Sequence, residues 1–349
     1  MKNKLSRRDF LKLGGAGLVT AAGTAAAITQ TKASNHTEHK NHVLQRPLQM
    51  DHGDGEGLPG VGDVDYEKNG FNPTETLYDF DYGKVSTLPN GQTLREYEII
   101  VINKSIEVVP GIEFPAWTYN GRIPGPTLRA TEGDRIRITM KNGSNHPHSM
   151  HFHGFHPGEM DGVPGTGPGG NVQPGEQFVY EFDAEPFGLH LYHCHVFPLA
   201  RHIAKGLYGA FIVDPKEGRP PVDQEMVMVM HGIDIDFDDG NDFYAVNGIP
   251  FYYQNHPIQI KIGEKIRIYL VNILEFDLIN SFHLHANFFY YYPTGTSLTH
   301  TEFTDTIIQG QAQRGILEFS YKYPGMYMFH AHVTEFAELG WNGMFEVLP

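Results

Sequence analysis

Five landmarks occur twice in this chain in the same order, and that duplication restricts its fold more than any other feature. The turn Asn120-Gly121-Arg122-Ile123-Pro124 is answered by Asn247-Gly248-Ile249-Pro250, and the alternating run from Gly133 to Met140 by Gly263 to Leu270. Met150-His151-Phe152-His153 pairs with Phe282-His283-Leu284-His285, and Tyr192-His193-Cys194-His195 with Phe329-His330-Ala331-His332. Gly206-Leu207-Tyr208-Gly209-Ala210-Phe211 pairs with Gly340-Trp341-Asn342-Gly343-Met344-Phe345. Such repetition reads as one unit of roughly 130 residues used twice, with the join near Asp214 to Val222.

Each unit reads as β structure. Asp134-Arg135-Ile136-Arg137-Ile138-Thr139-Met140 alternates charged and apolar residues, as a half-buried strand does. The 39 glycines and 23 prolines favour short strands and many turns over long helices. The expected fold is therefore all-β, two tandem Greek-key β-sandwiches or barrels, over residues 76–215 and 223–349. A net charge of −15 argues against nucleic acid or an anionic membrane as partner, since both require a basic surface.

Ahead of the units, Ser6-Arg7-Arg8-Asp9-Phe10-Leu11-Lys12 and the Gly/Ala-rich apolar run to Ile28 have the form of a twin-arginine export signal, with cleavage after Ala33. The expected location is periplasmic or extracellular, with no membrane association once the signal is removed. Residues 34–75 read as a flexible polar arm, in which His36, His39, His42 and His52 sit with Asp51 and Asp54 as a solvated tail.

Two metal sites are written into the first unit. Cys194 is the only cysteine, and on an extended strand His193 and His195 project to one face while Cys194 projects to the other. A thiolate with two imidazoles is the blue-copper ligand set, and His148 and His202 are placed to supply the imidazoles. Leu207 stands where such sites place a weak axial methionine, so the potential should be high; Met150 and Met160 are less favoured axial candidates. The second site uses four His-x-His pairs: His151/His153, His193/His195, His283/His285 and His330/His332. Eight neutral imidazoles suit three coppers at two or three ligands apiece, whereas structural zinc takes four ligands, usually thiolates. The second unit has Asn280, Ala331 and Phe336 where the first has His148, Cys194 and His202. It cannot build a thiolate site, yet it keeps its histidine pairs.

The four pairs, with His-Cys-His followed by His202 and Leu207, resemble the multicopper oxidase family, and the two-unit plan resembles two-domain laccases with type 1 copper in the first domain. The resemblance runs from about Arg95 to Pro349 and implies two cupredoxin-like barrels. It implies four coppers per subunit: type 1 on His148, Cys194 and His202, type 2 on His151 and His283, and a type 3 pair on His153, His193, His195, His285, His330 and His332. It implies electrons from a phenol, an aromatic amine or a metal ion, four of which reduce O2 to water. It also implies a homotrimer in which domain 1 of one subunit meets domain 2 of the next; from the ligand split alone, the interface lies either within one chain or between chains. Water formation consumes protons, and Asp161 resembles the family's aspartate behind the cluster ligands, while Glu335 resembles its acidic relay near the last histidine pair. Copper nitrite reductase shares the two-domain trimer but would leave His195, His153, His285, His330 and His332 without work. A copper-binding electron-transfer protein is the non-catalytic alternative. Only 11 methionines, with no methionine-rich insert, weaken a dedicated cuprous oxidase.

Overall fold

The computed structural model describes residues 61–349. The export signal and the histidines of the arm up to His52 lie outside the described residues.

In the first half, the polar/apolar alternation becomes the strand Arg135–Asn142, whose residues are buried at every second position. It pairs in parallel with the long strand Thr93–Val109 and antiparallel with Gln177–Asp183. On its outer face Arg135 and Arg137 reach the Glu181 carboxylate on the neighbouring strand, cross-strand pairs of the kind that hold register. A second sheet runs in the order Phe80–Asp81, Thr127–Thr131, Tyr208–Asp214, Gly188–His193, His151–Phe152. Between the sheets lies one apolar core that includes Ile99, Val101, Trp117, Ile136, Ile138, Phe152, Tyr180, Tyr192, Cys194 and Leu207.

The second half repeats this plan. Ile258–Lys261, Asn342–Leu348, Gly325–His330 and Ile279–Leu284 take the places of the last four strands of the second sheet. Gln224–Ile233, Ile266–Asn272 and Arg314–Phe319 take those of Thr93–Val109, Arg135–Asn142 and Gln177–Asp183. The matched turns share their backbone: Asn120 and Asn247 both have φ 56°, and each is followed by a glycine of positive φ. Their amides hold the next strand in the same way, Asn120 Oδ1 accepting from Ile100 N–H and Asn247 Oδ1 from Val229 N–H. A Cβ at Gly209 would collide with the Tyr192 ring and one at Gly343 with the Phe329 ring, so both halves need glycine to seat the aromatic of the histidine-bearing strand.

Two expectations are corrected. The arm does not extend to residue 75, because Tyr66–Asn69 and Pro73–Tyr78 are short helices capped by Asp65 and Asn72. Phe71 and Leu77 are buried, and Asn72 and Pro73 accept hydrogen bonds from Tyr252 and Tyr253 of the second half. Polarity masked this segment, because its few apolar side chains are spaced for docking rather than for an amphipathic period. Also, Ile266–Asn272 is buried along its whole length instead of alternating. Its polar side chains meet the first half at Glu225 on the neighbouring strand, which accepts from Arg129 of the first half (2.6 Å), Arg267 (2.8 Å) and Tyr269 (2.9 Å). Arg129 also pairs with Asp214, and Arg267 with Glu318. Removing one member of a buried charge network leaves the others uncompensated. Glu225→Gln is therefore expected to destabilise the chain by about 3 kcal/mol, read as a lower denaturant midpoint; an unchanged midpoint would show that the junction carries no such load.

Candidate metal centre

The strand Gly188–His193 ends at the centre of the first half, and the residues after it divide between two clusters. Cys194 Sγ lies 3.1 Å from His202 Nδ1 and 3.7 Å from His148 Nδ1, and those two nitrogens are 3.2 Å apart. All three side chains are buried. The three atoms form a near-equilateral triangle whose centre is about 1.9 Å from each, the bonding distance of a first-row transition ion. A His2Cys set of this shape fits copper. His202 comes from the helix Leu199–Ala204, and the loop returns so that Cys194 N–H donates to Leu207 O (3.0 Å) and Leu207 N–H to His202 O (3.3 Å). Leu207 is fully buried in the same core cluster as the thiol. Met160 Sδ instead accepts from Glu181 N–H, and Met150 packs in the core with its N–H on Tyr180.

Burial sets the titration of the metal-free site. It pushes the Cys194 thiol up to about 11, against the smaller opposing pull of N–H donors that include Ser149 N–H, 3.4 Å from Sγ. It pushes His148 down to about 3 and His202 down to about 4, with neighbouring positive charge adding to the effect. A bound cation reverses this logic for the thiol, which ionises on coordination.

The second cluster holds His151, His153, His193 and His195, with the His151 ring 5.1 Å from each of the other three centroids. His153 Nε2 and His193 Nε2 are 3.2 Å apart. His151 Nδ1 donates to Asp161 O (2.8 Å) and His193 Nδ1 to Cys194 O (3.0 Å). A carbonyl only accepts, so these bonds fix the proton on Nδ1 and leave the Nε2 lone pairs for a metal. The Asp161 carboxylate is 3.0 Å from His151 Nδ1 and 3.6 Å from His156 Nε2.

The second half builds the same cluster from His283, His285, His330 and His332, with His285 Nε2 and His330 Nε2 3.0 Å apart. The tautomers are set alike, His283 by Asp305 O and His330 by Ala331 O. Among the described residues, no cluster of potential ligands within 4.8 Å combines histidines of both halves. The lost thiolate position is filled: Asn280 accepts from Trp341 Nε1 (3.1 Å), Ala331 is buried, and Phe336 stacks on Tyr244 at 3.9 Å. Glu335 lies on the short helix Thr334–Glu338, exposed, where its charge raises the pKa of Tyr244.

Sequence reasoning missed Ser149 and Ser281, whose hydroxyls accept from His195 N–H (3.1 Å) and His332 N–H (2.8 Å). Their signal was available, since each immediately precedes the third landmark of its half, Met150 to His153 or Phe282 to His285. His156 was missed because it stands outside the repeated His-x-His pattern.

Two sequence profiles, each described as multicopper oxidase, match residues 101–218 and 220–349. A copper-containing nitrite reductase of Neisseria meningitidis is 30% identical over 256 residues, 66% of this chain. The chain spans 63% of that relative's length. Among solved structures, a multicopper oxidase is 61% identical with a TM-score of 0.81, the match covering 82% of this chain and all of the other. A copper nitrite reductase from Nitrosomonas europaea is 27% identical with a TM-score of 0.67, over 73% of this chain and 94% of the other.

Burial also holds His153 near 3 and His190, His193 and His231 near 4, each below the free value of 6.5. Histidines with folded values below their unfolded ones contribute stability that is complete above about pH 6.5 and is lost as pH falls toward 4. Thermal unfolding of the copper-free protein should therefore drop steeply between those limits; a flat melting temperature across them would contradict the burial described.

Proposed function

The chain belongs to the multicopper oxidase family, a copper-dependent oxidoreductase with two cupredoxin-like domains, and from that premise we propose that it is a laccase-like oxidase. It takes single electrons from a phenol, an aromatic amine or a metal ion and delivers four to O2, forming water. The observation that carries this reading is the second cluster: four imidazoles kept in a half that has no thiolate site. His148, Cys194 and His202 would hold a type 1 copper, His151 and His283 a type 2 copper, and His153, His193, His195, His285, His330 and His332 a type 3 pair. Copper bound there supplies one-electron redox cycling at the thiolate and a multi-electron site for O2 at the histidines.

Cys194 joins the two sites through its own peptide bonds to His193 and His195. Asp161, in contact with His151, is the carboxylate proposed to hold protons for water formation, and Glu335 is proposed to serve the exposed turn after His332. Since neither half completes a trinuclear set within one chain, the proposed assembly is a homotrimer that closes each cluster between copies. Exposed apolar side chains support this: Phe155 and Phe197 follow the histidine pairs of the first half, and Ile279 and Met326 lie on the strands of His283 and His330. Export by the twin-arginine route to the periplasm or cell exterior completes the proposal.

The nitrite reductase relatives favour a second reading, reduction of nitrite at a single three-histidine copper. Metal analysis separates the two: about four coppers per chain with O2 uptake for the oxidase, about two with nitrite turnover for the reductase. Cys194→Ser should abolish the blue absorption and nearly all oxidase turnover; a variant that stays blue and active would overturn the assignment. Asp161→Asn should lower turnover roughly a hundredfold and change its pH profile, whereas an unchanged profile removes that carboxylate from the proton path.

A further inference from the structure

Both imidazoles of the thiolate site are shut off from solvent, His148 being 0% and His202 3% exposed. Little of either ring is open to a donor molecule. What covers them is Trp117, 8% exposed, with its indole centroid 4.6 Å from His202 and 5.1 Å from His148. The indole also lies 4.7 Å from the ring of His146, which is exposed and belongs to no metal cluster among the described residues. Tilted and edge-on ring contacts thus connect an exposed imidazole through the indole to the two ligand rings. The Trp117 backbone N–H donates to Lys205 O (2.9 Å), and the Lys205 ammonium sits 5.2 Å from the indole centroid while donating to Pro115 O (2.7 Å). A cation held against the ring opposes loss of an electron from the indole itself, so the ring can couple donor to site without becoming the oxidised species.

The second half separates packing from function. Tyr244 covers Phe336 there as Trp117 covers His202, so an aromatic roof is common to both halves. The outer ring is not: counted back from Asn280 as His146 is from His148, the position holds the exposed Leu278. A continuous path of rings from solvent exists only in the half that carries the thiolate.

We propose that His146 and Trp117 form the electron port of this protein, docking a planar aromatic one-electron donor by ring stacking and coupling it to the His148–Cys194–His202 site. This rests on the oxidase reading above and narrows its donor to phenols or aromatic amines. A phenol docked there loses one electron to the copper and its hydroxyl proton to solvent, and leaves as a phenoxyl radical.

The test uses the copper-loaded protein without O2, following the bleaching of the blue band by a phenol in a single reduction. Trp117→Leu should slow bleaching by at least about tenfold, and Trp117→Phe should restore most of the rate. His146→Ala, an exposed site, should raise the phenol concentration for half-maximal rate several-fold while the blue band and reduction potential stay as they were. In the copper-free protein, nitrophenol should quench tryptophan fluorescence saturably, because Trp341 is fully buried and Trp117 is not, and His146→Ala should weaken that quenching. Bleaching by His146→Ala at the parental rate and half-saturation, with quenching unchanged, overturns the port even if Trp117→Leu perturbs the copper. A parental protein that binds copper but shows no blue band would instead refute the oxidase reading.

Discussion

The structure depends on a set of hydrogen bonds that settle which nitrogen of each imidazole carries the proton. His151, His193, His283 and His330 all give Nδ1–H to a backbone carbonyl. With that proton placed, the opposite nitrogen is a bare lone pair directed into the cluster. The His193 and His330 Nε2 lone pairs face His153 Nε2 and His285 Nε2 at 3.2 and 3.0 Å, close enough for each pair to share a proton or a metal. Desolvation drives His153 and His193 toward neutrality, the form in which an imidazole binds a metal. The backbone therefore prepares both halves for cations that the imidazoles share.

The strand around Cys194 extends the same economy to a second site. Alternation along a strand sends Cys194 inward, and the two neighbouring histidines outward to the cluster. The loop after it is shaped by Leu207, which receives Cys194 N–H at its carbonyl and gives its own N–H to His202. Trp341 makes the matching pair of bonds with Ala331 and Phe336. The loop geometry thus does not depend on the thiolate: it persists where alanine stands in its place, and Asn280 with Trp341 fills the polar remainder. An apolar filling of this kind costs the second half no unpaired polar group, which is why it can lose one site without losing its fold.

Much of this was legible beforehand because it is periodic. The strand alternation, the duplicated turn and the histidine pairs are local patterns, and they locate the sheets and the ligands without any knowledge of tertiary contacts. The helices at Tyr66–Asn69 and Pro73–Tyr78 were not legible, since their stability comes from Tyr252 and Tyr253 nearly two hundred residues away. Trp117 was invisible for the same reason. It lies on the strand Ile112–Tyr119, and only the fold brings it over His148 and His202. Glu335 lies three residues beyond His332 on the short helix Thr334–Glu338, where its charge also acts on Tyr244.

These arrangements divide the protein's surface by purpose. The thiolate site is covered by Trp117, whose ring lies against those of His148 and His202. The cluster side is left open within one chain, with half its ligands on each domain and apolar side chains around them. In the assembly proposed above, association would exclude bulk water from such a site better than a surface cleft does, because both rims would be covered at once. The backbone around Cys194 is the covalent link between the thiolate cluster and the neighbouring histidine cluster, since His193 belongs to the second and Cys194 to the first.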